Sequence, residues 1–237
     1  MSDNKHVMDR RTFVLAAGAA GASLLAGCGK KGDEEAPVVE PVEEPTEAEQ
    51  SEPQVAEPQP EADTPPANKV LVIFYSRADE NYADGDLEVL EVGHTKVMAG
   101  YIAEATGADQ YEIVPAEAYP FSYEECVNVA NEELVADARP ALAGDMPDVS
   151  SYSTVFFGCP VWLGCEPMVV RTFLDAVSLS GKTIVPFTTH GGSGLGSVPA
   201  NLQASISAAT FLDGKAIAGT AVDGARDEVM QWAASCL

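Results

Sequence analysis

From residue 69 onward, apolar residues alternate between strand-like and helix-like spacing. Continuous apolar runs rich in β-branched and aromatic residues predict buried strands at 70–75 and 154–159. The other predicted strands are 110–114, 182–189 and 210–218, and apolar positions three and four residues apart predict helices at 95–106, 123–138, 166–177 and 225–236. This alternation predicts an α/β domain: an open, parallel, five-stranded sheet with helices on both faces.

The first 28 residues have the pattern of an export signal. The pair Arg10-Arg11 precedes the apolar run 13–25, and Leu-Ala-Gly-Cys ends at Cys28. The run is shorter than the roughly 20 apolar residues that span a bilayer. The arginine pair resembles the twin-arginine motif, and the last four residues resemble a lipobox. These resemblances imply export by a twin-arginine-type route, lipidation of Cys28 and anchoring to the outer face of the cytoplasmic membrane. The alternative is a helix of the folded domain with Cys28 as a buried thiol.

Residues 29–68 form a segment of Glu, Pro, Ala and Val without hydrophobic periodicity. Twelve acidic and no basic residues lie between Asp33 and Asp63, which is half of the net charge of −24. Such a segment has nothing to bury, and we expect a disordered tether before a domain at 69–237. An interaction tail for a basic partner is the alternative. The acidic balance, with no basic run beyond Lys30-Lys31, argues against nucleic-acid binding.

Loops at the strand ends carry the candidate chemistry, because ligands of open parallel sheets bind beyond the carboxyl ends of the strands. Ser76 and Arg77 follow the first strand, and 93–95 opens the next helix with Thr95 at the predicted cap. Hydroxyl groups at a helix N-terminus suit a phosphate. Alone, the same residues also fit a turn serine and a capping threonine.

Two further loops would lie at the same edge of the sheet. The loop 158–164 carries Trp162, which is either packed underneath or offered to a flat ligand. The loop 188–197 is rich in glycine, which either serves flexibility or lets backbone N–H groups approach a ligand. Together the three loops predict a pocket with a phosphate grip, a stacking wall and a polar rim.

These residues resemble a flavodoxin-type FMN-binding domain over 69–237. The resemblance rests on Phe74-Tyr75-Ser76-Arg77, Gly93-His94-Thr95, Tyr119-Pro120, Arg139-Pro140, Gly158-Cys159-Pro160-Val161-Trp162 and 180–187. It implies the strand order 2-1-3-4-5 and FMN as cofactor. By the same resemblance the phosphate is held by Ser76, Arg77, His94 and Thr95, and the isoalloxazine contacts Pro160, Val161 and Trp162. The remaining cofactor-binding residues are Leu163 and Gly164 on the same loop, and Thr189, His190, Gly191, Gly192 and Ser193 at the pyrimidine end and ribityl chain.

The chain departs from the flavodoxin pattern between Arg77 and Gly93. Flavodoxins have a compact phosphate loop, whereas residues 78–92 are inserted here. The insertion holds six acidic residues, which would oppose a phosphate dianion unless they point outward. The acids are Asp79, Glu80, Asp84, Asp86, Glu88 and Glu91.

An FMN-binding electron carrier is the function that the resemblance implies, with a redox partner protein or a quinone as partner. The alternatives are an FMN-dependent reductase of quinones or other small molecules, and a flavin-free binding lipoprotein on the same fold. His190 is a candidate proton donor or substrate contact, or else a locally bonded loop histidine. No metal site is predicted from ligand spacing. A disulfide between Cys159 and Cys165 is a further hypothesis.

Overall fold

The computed structural model describes residues 69–237. The predictions for 1–28 and 29–68 lie outside these residues. The strands are β1 (Lys69–Phe74), β2 (Asp79–Ala83), β3 (Asp86–Leu90), β4 (Asp109–Glu112), β5 (Tyr152–Pro160), β6 (Thr183–His190), β7 (Thr210–Phe211) and β8 (Lys215–Ala218). The helices are α1 (His94–Thr106), α2 (Tyr123–Val135), α3 (Met168–Ala176), α4 (Val198–Ser205) and α5 (Arg226–Ser235), with a 3-10 helix at Gly219–Ala225.

One parallel sheet organises the domain in the order β4-β1-β5-β6, with β7 and β8 both pairing with β6. Counted along the main sheet, this is the order 2-1-3-4-5, so the predicted fold class is confirmed. The single strand predicted at 210–218 is wrong, because β7 and β8 are separate. The gap between them falls beside Pro186, whose backbone nitrogen has no hydrogen to donate to a neighbouring strand.

Helices cover both faces of the sheet because its strands are apolar on both sides. Met98 and Ile102 of α1 pack with Val229 of α5 on one face. The other face is covered by α3 and α4, through Phe173 and Leu202. The sheet and the helices therefore form a layered core that fixes the positions of the loops at the carboxyl ends of the strands. Within the described part of the chain, no helix is both long enough and apolar enough to cross a membrane.

Three local features differ from the sequence prediction. The insertion forms an antiparallel hairpin, β2–β3, whose turn residues Asp84 and Gly85 have positive φ of 48° and 109°, as a tight hairpin turn requires. Helix α4 was not predicted, since its eight residues follow directly on the glycine-rich loop. Helix α1 begins at His94 with Gly93 as its N-cap, so Thr95 is not the cap.

Candidate functional site

A cleft of about 380 Å³ opens at the carboxyl ends of β1, β5 and β6. Eleven of the predicted site residues line it, namely Arg77, His94, Pro160, Val161, Trp162, Leu163, Gly164, Thr189, His190, Gly191 and Ser193. The structure thus brings the loops after β1, β5 and β6 to one site, at the point where the strand order reverses between β1 and β5.

The other three predicted residues, Ser76, Thr95 and Gly192, lie beside the cleft without lining it. The hydroxyl of Ser76 accepts a hydrogen bond from the backbone N–H of Lys96 at 3.0 Å, in the first turn of α1. The hydroxyls of Thr95 and Thr189 lie 2.7 Å apart and are buried. Ser76 therefore takes up a helix N–H, and Thr95 ties α1 to the end of β6.

The start of α1 and the end of β1 are in close backbone contact. A Cβ placed on Gly93 would collide with the Ser76 hydroxyl and the Arg77 carbonyl oxygen. A glycine is therefore required there, because any side chain would push the two segments apart. The nearby imidazole of His94 lies against Gly219, where a Cβ would be 2.5 Å from Nδ1.

The guanidinium of Arg77 turns towards α2 rather than towards the N-terminus of α1. Its Nη1 donates to the carbonyl of Glu80 at 2.7 Å, and its Nη2 donates to those of Pro120 and Phe121 at 2.6 and 2.7 Å. Only Nε, which is buried, lacks a partner within the described residues. Arg77 thus joins the hairpin to the segment before α2, a role that differs from the phosphate contact implied by the resemblance.

Trp162 is both packed and offered to the cleft. Its ring meets Tyr75 and Tyr119 edge-on, with centroids 5.6 and 4.9 Å apart. The turn that carries it is closed by reciprocal backbone hydrogen bonds with Cys165, of 2.8 Å from Trp162 N–H and 2.9 Å from Cys165 N–H. The sequence left open whether Trp162 is packed or offered to a ligand, and both hold. Edge-on packing fixes the ring while it still lines the cleft.

A polar clasp joins the tryptophan loop to the glycine-rich loop. The carbonyl of Gly164 accepts from both N–H and hydroxyl of Ser197, each at 2.9 Å. The carboxylate of Glu166, which is 2% exposed, accepts from Asn201 at 2.8 Å and from Arg171 Nε at 2.7 Å. The two loops are therefore held at a fixed separation.

Both histidines of the cleft are held towards the neutral form. Burial lowers the pKa of His94, although Glu88 and Asp223 oppose the shift. Burial also lowers the pKa of His190, whose Nδ1 accepts a hydrogen bond from the N–H of Gly192 at 2.9 Å. That bond places the proton of neutral His190 on Nε2.

No carboxylate side chain is among the described residues that line the cleft. Glu80 of the hairpin accepts a hydrogen bond from the N–H of Tyr123 at 2.9 Å, and Asp84 accepts one from the hydroxyl of Thr220. Asp86, Glu88 and Glu91 are exposed. None of the six acids of the insertion therefore lines the cleft.

Sequence reasoning missed seven lining residues, which come from the hairpin, from α2 and from the start of the 3-10 helix after β8. They are Asn81, Tyr82, Tyr123, Cys126, Val127, Ala130 and Gly219. An available signal was Asp84-Gly85 between alternating apolar positions, which is typical of a hairpin. Helix α2 was predicted as a helix, but nothing in the sequence indicated that it lines the cleft. Its residues reach the cleft only through the packing of the folded chain.

The cysteines and the acidic residues form no second site here. Cys159 and Cys165 are separate thiols, so the hypothesised disulfide is absent, and burial raises the pKa of each. Between residues 69 and 237, no three His, Cys, Asp or Glu side chains are grouped so as to hold a metal ion.

Known proteins share this architecture. The profile of the flavodoxin family matches residues 90–236. A crystal structure of a protein from Bacteroides uniformis, assigned as a flavoprotein, is 27% identical with a TM-score of 0.57, covering 70% of this chain and 97% of that one. A second crystal structure, of a protein from Bacteroides eggerthii also assigned as a flavoprotein, is 27% identical with a TM-score of 0.53. That match covers 68% of this chain and 97% of the other.

A flavoprotein from Lactobacillus acidophilus, solved in complex with FMN, shares the fold at 19% identity. Its TM-score is 0.52, and the match covers 68% of this chain and 98% of that one. No curated protein matches the chain. The parallel sheet and its cleft define an open α/β protein, a class in which ligands bind where the strand order reverses. The chain belongs to the flavodoxin family.

Proposed function

We propose that this protein is an FMN-dependent electron carrier. Membership of the flavodoxin family identifies FMN as its cofactor. The observation that carries the proposal is the cleft itself, which combines Trp162, the backbone rim at 189–193 and a lining without carboxylates. Bound FMN supplies the redox chemistry, and the chain supplies binding, orientation and electrostatics.

The residues present fit such a cofactor. The N-terminus of α1 adjoins the cleft through His94, and the helix dipole there favours an anion. His94, the first residue of α1, lines that end of the cleft. Trp162 offers a fixed aromatic ring, and the loop of Gly191 and Gly192 offers backbone groups without side chains in the way.

The experiment is an FMN titration of the purified protein, followed by visible absorption after removal of loose ligand. We expect retained flavin, and about fivefold weaker binding for Trp162→Ala, since loss of an aromatic contact removes about 1 kcal/mol. Trp232→Phe is the matched control, because Trp232 packs on Phe156 away from the cleft. A colourless protein that takes up no FMN would overturn the proposal in favour of a flavin-free binding protein.

A reductase of quinones or other small molecules is the second candidate. The observation that favours it is the apolar extension of the cleft along α2, formed by Val127 and Ala130 beside Tyr123. A small planar acceptor would find apolar contacts there. Steady turnover of a quinone with a reduced nicotinamide as donor supports this candidate, whereas reduction without turnover supports the carrier.

The cellular site and the partner belong to the same proposal. Arg10-Arg11 and Cys28 support twin-arginine-type export and lipid anchoring on the outer face of the cytoplasmic membrane. The acidic segment 29–68 would hold the domain clear of the lipid, where a redox partner protein or a quinone exchanges electrons with it. Cys28→Ser is expected to move the protein from the membrane fraction to the soluble one; an unchanged distribution would reject the anchor.

A further inference from the structure

The hairpin β2–β3 is fixed at its base to the start of α2. Arg77 Nη1 donates to the carbonyl of Glu80 at 2.7 Å, and the N–H of Glu80 donates to the carbonyl of Phe121 at 3.3 Å. The carboxylate of Glu80 in turn accepts from the N–H of Tyr123 at 2.9 Å. Three hydrogen bonds, one of them from a buried arginine, therefore hold this end.

The tip of the hairpin is fixed at the other side of the sheet. Asp84 in the turn accepts a hydrogen bond of 2.9 Å from the hydroxyl of Thr220, just after β8. Helix α2 follows β4, which lies at one edge of the sheet, whereas β8 lies at the opposite edge. The hairpin thus crosses the carboxyl edge of the sheet from one side to the other.

Between these attachments, the hairpin contributes to the wall of the cleft. Asn81 and Tyr82 line it. The ring of Tyr82 lies against Gly191, where a Cβ would be 3.1 Å from Cδ1, and its centroid is 6.2 Å from that of Tyr123. Tyr82 is nevertheless 46% exposed, so the ring forms the outer side of the cleft rather than part of the core.

The two attachments differ in strength. At the base of the hairpin, the chain enters after Arg77 and leaves before Gly93. The backbones of these two residues are in close contact. The tip has one exposed side-chain hydrogen bond, for which water competes. The base is therefore the more firmly held end of the hairpin.

We infer that hairpin β2–β3 is a strap that closes the cleft over its ligand, that Tyr82 is the strap residue contacting that ligand, and that the Asp84–Thr220 bond is its latch. The identity of the ligand rests on the proposed function. The insertion 78–92, which replaces the compact phosphate loop of flavodoxins, thereby has a role in binding.

The test measures FMN binding and release by flavin fluorescence in the purified protein. Tyr82→Ala should raise the Kd about tenfold, and Tyr82→Phe should leave it within about twofold because the ring remains. Leu87→Ala is the matched control, since Leu87 pairs with Tyr82 in the hairpin but does not line the cleft. Thr220→Val should speed FMN release about fivefold, which is 1 kcal/mol.

A second readout needs no cofactor. Without FMN, amide hydrogen exchange in 79–90 should be faster in Thr220→Val than in wild type, while exchange in β5 should be unchanged. Unchanged exchange in the hairpin overturns the latch. If the wild type binds FMN but Tyr82→Ala and Leu87→Ala have equal Kd values, the contact between Tyr82 and the ligand is overturned. Failure of wild type to bind FMN overturns the proposed function and the Tyr82 contact, whereas exchange still decides whether the latch exists.

Discussion

His190 shows how a single residue links the cleft to pH. Its Nδ1 accepts the N–H of Gly192, so a proton on Nδ1 would break that bond. Burial adds to the cost and lowers the pKa of the imidazole. The folded chain therefore binds this proton less readily than the unfolded chain, in which a histidine has a pKa of about 6.5.

We expect this difference to make the domain less stable in acid. Because the folded pKa lies below the unfolded one, the contribution is complete above about pH 6.5 and is lost as pH falls from there to the folded pKa. His190→Asn keeps an acceptor for Gly192 but does not titrate. Urea denaturation should show a larger fall in the free energy of unfolding from pH 7.5 to pH 5.5 in wild type than in the variant. Equal falls would show that His190 does not contribute to the acid sensitivity of the domain.

Residue types were sufficient to predict most of the cleft, but not where each side chain points. Trp162 stood out because it is a large aromatic residue on a loop, and the glycines of 191–194 stood out because they cluster directly after a strand end. Arg77 has the charge for a phosphate, yet its donors go to the carbonyls of Glu80, Pro120 and Phe121. Those three carbonyls come together only when the hairpin and the start of α2 pack against each other. The orientation of the Arg77 guanidinium therefore cannot be predicted from the sequence alone.

Among the elements, the tryptophan loop, α3 and α4 behave as one unit through Glu166. Its buried carboxylate is shared between Arg171 of α3 and Asn201 of α4. A buried carboxylate without its partner is costly, because water no longer compensates its charge. Glu166 therefore couples the position of Trp162 to both helices.

Arg171→Met should destabilise the domain by about 3 kcal/mol, since it leaves the Glu166 charge buried and unpaired. Arg139→Met is the matched control. Its partners Asp137 and Asp175 are 67% and 63% exposed, and such surface pairs contribute about 1 kcal/mol or less. Urea denaturation measures both variants. Similar losses for the two would mean that Glu166 is not held mainly by Arg171.

Long periodic elements were predictable, whereas short ones were not. The buried strands β1, β5 and β6 are runs of apolar residues that no exposed segment would carry. The two-residue strand β7 and the eight-residue helix α4 are too short for a period to show. The hairpin was not predicted although β3 alternates polar and apolar residues, because β3 is almost wholly exposed and β2 lacks that alternation.

At the scale of the whole molecule, the acidic residues of the domain at 69–237 lie outside the lining of the cleft. Residues 69–237 carry 8 basic and 23 acidic residues, a net charge of −15. None of the carboxylates of this domain lines the cleft. The acidic surface therefore surrounds a site without carboxylates and gives it a negative potential, which acts on a bound redox group at a distance and is subject to screening by salt.

This charge distribution predicts a reduction potential of bound FMN below that of free FMN, because an added electron is repelled by the surrounding carboxylates. Salt should raise the potential, since the screening length falls from about 30 Å at 0.01 M to about 8 Å at 0.15 M. A redox titration of the FMN-loaded protein at both ionic strengths measures the effect, with free FMN in the same buffers as control. A potential above that of free FMN would contradict the prediction. A low potential that does not respond to salt would instead place the cause in the contacts of the cleft rather than in the charge of the surface.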